Sequence, residues 1–211
     1  MLKIWGRSNS SNVQKVLWFC EEAGIAFERV DAGGAYGVTQ TPEYLAKNPN
    51  SLVPTIEDDG FVLWESNTIA RYLAEKHGKA NWYPKDLRRR AEVEKWMDWG
   101  NVSLGVAITP LFWQLMRTPA EQRDQASALA SAERTARLLT IVDAQVAKQP
   151  YLAGDHITLA DVPAGIQVYR WMNMPLDLIG YERPDLPALK AWYERLTQRP
   201  VYKKVVMITI T

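Results

Sequence analysis

The apolar positions of this chain change their rhythm once. Up to about residue 77 they form short runs and short helical stripes; beyond it almost only the helical spacing remains. Leu2–Trp5 is an apolar run closed by Gly6 and reads as a strand. Ser8, Asn9, Ser10, Ser11 and Asn12 follow, all residues that cap helices. Val13, Val16, Leu17 and Cys20 then recur with the spacing of one helical face, and Gly24 ends that helix. Residues 26–30 predict a second strand, and 31–40, with Gly33, Gly34 and Gly37, a loop. Thr41 and Pro42 predict the cap and first residue of a short helix through Ala46, after which Asn48-Pro49-Asn50-Ser51 predicts a turn. The runs 53–56 and 61–64 flank Glu57-Asp58-Asp59-Gly60, a hairpin signal. Ser66 predicts the cap of a helix with Ile69, Ala70, Tyr72 and Leu73 inward. The order β-α-β-α-β-β-α requires a mixed sheet, since a hairpin is antiparallel and the helices are crossovers.

Residues 78–86, with Pro84, predict a linker. Two long helices, 88–116 and 121–148, meet at Thr118-Pro119. Thr158-Leu159-Ala160-Asp161 fits a capping box, with a hydroxyl at the cap and an acid three residues on. The helix it opens carries Val162, Ile166, Tyr169 and Arg170, and residues 184–196 predict another with Leu189, Trp192 and Leu196 inward. The expected organisation is an α/β domain at 1–77, the linker, and an all-α helical bundle at 87–211.

Composition narrows the classes. Of 211 residues 47% are hydrophobic and 23% charged, as in a globular protein with a real core. Lys and Arg number 25 and Asp and Glu 24, a net charge of +1 that gives no reason to expect nucleic acid. The run Arg88-Arg89-Arg90 is followed by Glu92 and Glu94 and reads as a solvated helix face. Cys20 is the single cysteine, and His77 and His156 lie far apart, so neither a disulfide nor a metal site is expected. A reducing, cytoplasmic setting follows. No stretch approaches the roughly 18 apolar residues of a membrane helix, and no export or anchoring is expected.

Two turns carry candidate chemistry. Ser10, Ser11 and Asn12 sit at a helix N-terminus, where free N–H groups and the helix dipole favour an anion. A hydroxyl there can donate to a thiolate and lower the thiol's pKa; a serine that only caps the helix explains the same residues. At the next such terminus Glu65 can hold an ammonium and Ser66 a carboxylate, as the amino-acid end of a ligand requires, or Ser66 can again be a plain cap. Val53-Pro54 opens a strand, where proline belongs; a cis bond there turns the Val53 backbone outward.

Taken together, these segments resemble the serine-type glutathione transferases, in their theta-like bacterial branch. Ser10-Ser11-Asn12-Val13-Gln14-Lys15 resembles that family's active-site turn, Asn48-Pro49-Asn50-Ser51-Leu52-Val53-Pro54 its cis-proline motif, and Trp64-Glu65-Ser66-Asn67 its glutathione-contact motif. Thr158-Leu159-Ala160-Asp161 and the segment from Arg183 to Pro200 are similar to its C-terminal helices. The resemblance runs from about residue 2 to about residue 203, in order. It implies a thioredoxin-like N-terminal domain, glutathione as cosubstrate, no metal, and a homodimer serving detoxification. By position, Ser10 donates to the glutathione thiolate, Val53 pairs with the cysteinyl backbone, Pro54 is cis, and Glu65 and Ser66 hold the γ-glutamyl end. Asn12 supports the turn or touches the ligand, and Gln40 falls near the glycyl carboxylate.

Three positions depart from the pattern. Ser51 replaces a glycine, Leu52 stands where many members carry Lys or Gln, and Asn12 stands where the isomerase branch has cysteine, which disfavours that role. Cys20 lies in the apolar stripe of its helix and reads as an inert core residue. The resemblance places a hydrophobic electrophile between the domains, walled by Trp5, Arg7, Trp99, Ser103, Ile108, Phe112 and Trp113, while Trp18, Trp64 and Trp192 are expected to pack structurally. Two other readings use the same scaffold: a glutathione-dependent peroxidase or disulfide reductase, and a non-catalytic binding module.

Overall fold

The computed structural model describes residues 1–210. Strand β1 (Leu2–Trp5) runs into helix α1 (Ser11–Ala23), then come β2 (Phe27–Val30), the short helix α2 (Pro42–Leu45), the hairpin β3 (Thr55–Asp58) and β4 (Phe61–Trp64), and α3 (Ser66–Lys76). The sheet order is β2-β1-β3-β4, with β1 parallel to β2 and antiparallel to β3. Sequence patterning finds each of these elements; β2 and α2 differ by one residue at one end, and two further offsets have a physical cause. β3 begins at Thr55, two residues later than the apolar run, because the two-residue Asp59-Gly60 loop pins Asp58 opposite Phe61. Ser66 is the first helical residue of α3 rather than its cap; Glu65 occupies the cap. Thr41 caps α2 as expected, its hydroxyl accepting from the Tyr44 amide at 3.3 Å.

The second half is helical: α4 (Leu87–Trp99), α5 (Val106–Met116), α6 (Gln125–Val146), α7 (Asp161–Asn173), α8 (Pro187–Thr197) and α9 (Pro200–Val205). The expected single helix over 88–116 is broken by a π-helical turn at Gly100–Gly105. Gly100 is pressed onto α7 there: a Cβ on it would stand 2.9 Å from Pro163 Cβ. Pro110, inside α5, has no N–H to continue the ladder. Among the described residues no helix is long and apolar enough to cross a membrane.

Helix α1 joins the halves. Val13, Val16, Trp18, Phe19 and Cys20 are fully buried, and Trp18 meets Tyr202 of α9 edge-on at 4.8 Å. Gln14 Nε2 donates to the Val205 carbonyl at 3.0 Å, and Arg199 grips Glu22 with two nitrogens at 2.7 and 2.6 Å. A bidentate guanidinium–carboxylate pair of this kind fixes orientation as well as charge.

The capping box expected at 158–161 forms only in part: α7 starts at Asp161 with Ala160 at its cap and no side-chain cap bond, and Asp161 instead acts as a tie. Asp161 is fully buried; its carboxylate accepts from the Thr158 amide at 3.0 Å, the Leu152 amide at 2.9 Å and Trp192 Nε1 at 3.1 Å. It ties the loop before α7, the 150s turn and α8 to one point. Burial raises its pKa to about 6 against these hydrogen bonds. Asp161→Ala is expected to cost roughly 3–5 kcal/mol, since three buried donors lose their acceptor. The folded protein holds the Asp161 proton longer than the unfolded chain does, so this residue's contribution falls as pH rises from about 4 to about 6. Urea titrations of wild type and Asp161→Asn across that range are expected to show the wild type losing ground to the variant; parallel curves would contradict the assignment.

Candidate active site

The loop after β1 is built for a close turn. Gly6 takes φ 155°, and a Cβ there would stand 2.4 Å from Val13 Cγ2. The Gly6 amide reaches the Val30 carbonyl at 2.8 Å and the Arg7 amide the Ala32 carbonyl at 3.0 Å. The loop then delivers Ser10 to the N-terminus of α1. Ser10 is extended (φ −80°, ψ 124°), 8% exposed, and its hydroxyl makes no capping bond. The first turn of α1 carries no acid, so its N–H groups and dipole are not offset by a carboxylate of their own helix.

Opposite lies the 48–54 loop. Asn48 and Tyr44 hold it from below: Asn48 Nδ2 and Tyr44 Oη both donate to the Leu52 carbonyl, at 2.9 and 2.7 Å. The Val53–Pro54 bond is cis. The ladder between β1 and β3 ends at Trp5–Thr55, so Val53 lies beyond it. Ser51 adopts the left-handed conformation (φ 57°) that suits glycine, and its hydroxyl accepts from Gln40 Nε2 at 2.7 Å and donates to the Thr39 carbonyl at 2.8 Å. Gln40 is therefore tied to this loop while remaining exposed. At the third corner Glu65 is also held at positive φ (74°, ψ 107°), a strained state for a non-glycine residue. Ser66 is buried.

Asn12, Val53, Pro54, Glu65 and Ser66 line a single cleft. Asn48, Asn50 and Leu52 of the cis-proline loop line it too, and so do Trp64 and Asn101, neither of which sequence patterning placed in a site. Trp64, expected to pack structurally, is 37% exposed at the cleft edge. Asn101 belongs to the π turn, and a wider turn rotates side chains relative to an ideal helix. Glycines at both ends of that turn, Gly100 and Gly105, were its only sequence signal.

Lys15 joins the two sides and was also missed as a site residue. It is 1% exposed, and its ammonium donates to Asn12 Oδ1 at 3.0 Å and to Asn101 Oδ1 at 2.6 Å. Burial lowers its pKa to about 7, with Glu65 holding it up and Arg170 pressing it further down.

The expected electrophile wall is partly corrected. Trp5 points to the other side of the sheet, where it packs edge-on against Tyr44 at 6.1 Å and donates to Glu57 Oε1 at 2.5 Å. Trp99 stacks edge-on with Trp96 at 5.3 Å, and Ile108 is buried in the core. Ser103, a candidate wall residue of the first long helix, is absent from the cleft that Asn101, Gly105, Val106 and Thr109 line alongside Ser11 and Asn12. Arg7 and Phe112 lie near the Ser10 turn, linked through Asn9 and Arg170, and Trp113 is 55% exposed on the same helix as Phe112. Cys20 is fully buried, and burial with Glu21 pushes its thiol up to about 12, which rules it out as a thiolate nucleophile.

A mixed four-stranded sheet with a cis-proline loop beside a helix N-terminus, docked to a helical bundle, defines the two-domain thioredoxin-like class. Family models agree with that architecture: residues 1–75 match the glutathione S-transferase N-terminal domain and residues 105–200 its C-terminal domain. The chain is 40% identical to glutathione S-transferase GstB of Escherichia coli K12 over the whole of both chains. It is 31% identical to glutathione S-transferase 3 of Zea mays, covering 97% of this chain and 93% of that one. Among solved structures, the theta class glutathione S-transferase of Xanthomonas axonopodis pv. citri with glutathione bound superposes with a TM-score of 0.93 at 46% identity, covering 100% of this chain and 99% of that chain. The chain belongs to the glutathione S-transferase family.

The Lys15 bridge makes a prediction about how the halves are coupled. A double-mutant cycle with Lys15→Met and Asn101→Leu, read by urea denaturation, is expected to return a coupling of about 1–3 kcal/mol. Additive single effects would mean that the bridge contributes nothing.

Proposed function

We propose that this glutathione transferase activates its cosubstrate with the Ser10 hydroxyl. Glutathione lies along the cleft, its γ-glutamyl end at Glu65 and Ser66, its cysteinyl backbone at Val53, and its thiol at the N-terminus of α1. The observation that carries the reading is the Ser10 side chain: it is held at a helix N-terminus beside the cleft and makes no bond to its own helix. A cap would spend that hydroxyl on the backbone; a thiolate donor keeps it for the ligand. Gln40 stands by the glycyl end through its bond to Ser51, and Asn12, gripped by Lys15, borders the thiol.

The chemistry needs little else. The thiol gives its proton to solvent, Ser10 and the helix N-terminus stabilise the thiolate, and sulfur attacks an electrophilic carbon held against Phe112 and Trp113. A neutral donor lowers a thiol pKa by roughly 1–2 units, at about 1.4 kcal/mol per unit. The resemblance further supports a homodimer acting in the cytoplasm in detoxification.

Ser10→Ala is expected to lower kcat/KM with an activated aryl halide more than tenfold near pH 6.5. The deficit should narrow as pH approaches the free thiol value of about 8.5, where ionisation no longer needs help. The melting temperature should move little, because no cap bond is lost. Unchanged turnover would move the role to Ser11 or to backbone N–H groups.

A further inference from the structure

Two clefts meet at a pair of asparagines. The glutathione cleft, with Val53, Glu65 and Ser66, and the second cleft, with Ser11, Thr109 and Gln167, share Asn12 and Asn101 and no other residue. Asn12 comes from the first turn of α1 and Asn101 from the π turn, so the junction joins the two halves of the chain. Behind the pair lies Lys15, whose ammonium donates to both carboxamide oxygens, at 3.0 and 2.6 Å. It is buried, and among the described residues no carboxylate forms an ion pair with it. Glu65 at the cap of α3 and Arg170 of α7 are the charged groups that act on it through space, the first in favour of its charge and the second against. A carboxamide has one acceptor end and one donor end. With each oxygen committed to Lys15, the two Nδ2 groups are the ends left over, and among the described residues neither has a partner.

A buried ammonium with only neutral partners is costly, and an anion nearby offsets that cost. The ammonium also polarises the two carboxamides, which makes their N–H groups stronger donors. Sulfur has to sit where the two clefts meet, because it belongs to glutathione and bonds to the electrophile. We propose that Lys15 is a positioning residue for the reaction: it holds the Asn12 and Asn101 carboxamides with their nitrogens toward the sulfur, and its charge, passed through them, favours the thiolate. In that ionisation the S–H bond breaks, the proton goes to water, and the electron pair stays on sulfur, where Ser10 and the two Nδ2 groups donate to it. This deepens the transferase reading above and rests on it.

The ionisation of bound glutathione tests it, read from the ultraviolet absorbance of the thiolate as pH is varied. Wild type, Lys15→Met, Asn101→Asp and Ser10→Ala are compared at saturating glutathione. Lys15→Met is expected to raise the bound thiol's pKa by about one unit, a tenfold loss of thiolate at any pH well below it. Its kcat/KM should fall in step at acid pH and recover once the thiol ionises unaided. Asn101→Asp separates the proposal from a purely structural role. The new carboxylate keeps an oxygen for Lys15, so the bridge between the halves survives, but one donor is lost and a negative charge is added. The thiol pKa of this variant is expected to rise at least as far as that of Lys15→Met, while its urea midpoint does not fall. Should Lys15→Met fail to fold, Asn101→Asp carries the test alone.

Calorimetric affinities for glutathione, taken at a pH where the thiol stays protonated in every variant, give a second readout and are expected to change little. A bound thiol pKa that neither Lys15→Met nor Asn101→Asp shifts overturns the inference. So does a Lys15→Met variant whose affinity collapses at that acid pH while its thiol pKa stays put, which would assign the clamp to the γ-glutamyl carboxylate instead. Ser10→Ala tests the transferase reading separately: an unshifted thiol in that variant, beside a shifted one in Lys15→Met, sinks the role of the serine and leaves that of Lys15 standing.

Discussion

Helix α1 packs against α3 on one side and against α7 and α9 on the other, and its buried residues belong to both halves of the core. Its position leaves almost no freedom. Trp18 fills the space beside Gly165, where a Cβ would stand 3.1 Å from the indole, and Gln14, Glu22 and Lys15 each bond to the helical half. The N-terminus of the same helix carries Ser10. Packing that costs nothing special in the core thereby fixes, within the precision of a well-filled interior, where a hydroxyl and a set of free N–H groups point. The cleft is rigid on that side because the core is.

The other two corners are held differently. Ser51 and Glu65 both sit at positive φ, and each is tied to a loop or helix start that closes on the cleft. Strain of this sort persists only when neighbouring hydrogen bonds over-determine it, and the Asn48, Tyr44 and Gln40 bonds around residues 48–54 supply that for Ser51. Glu65 has no such support from its own side chain at the cap, which makes its backbone the more dependent on the packing of α3.

Much of this was legible in the residues. Periodicity located α1, the hairpin and α3, because their apolar positions are set by one core and by short-range turn chemistry. Ordered motifs located Ser10, Val53, Pro54, Glu65 and Ser66, and the structure brings the last four to one cleft beside the first. What sequence spacing missed follows from one event, the π turn at Gly100–Gly105. A single helix was expected through 88–116; the π turn and the close approach of Gly100 to α7 interrupt it, and Asn101, within that turn, lines the cleft. Lys15 stood in the quoted motif but received no role, because a lysine on a helix is ordinarily solvated and only tertiary contacts show that two asparagine oxygens receive it. Trp5 misled because aromatic character says nothing about which face of a sheet a side chain takes; it alternates with the buried Leu2 and Ile4 and packs against Tyr44.

The central claim is that the cleft bounded by Ser10, Val53 and Glu65 is a glutathione site. Calorimetric titration of glutathione into the wild type and into Glu65→Ala tests it most directly. The account predicts saturable binding by the wild type and markedly weaker binding by the variant. A folded wild-type protein that takes up no glutathione, or a Glu65→Ala variant that binds it equally well, would contradict the account.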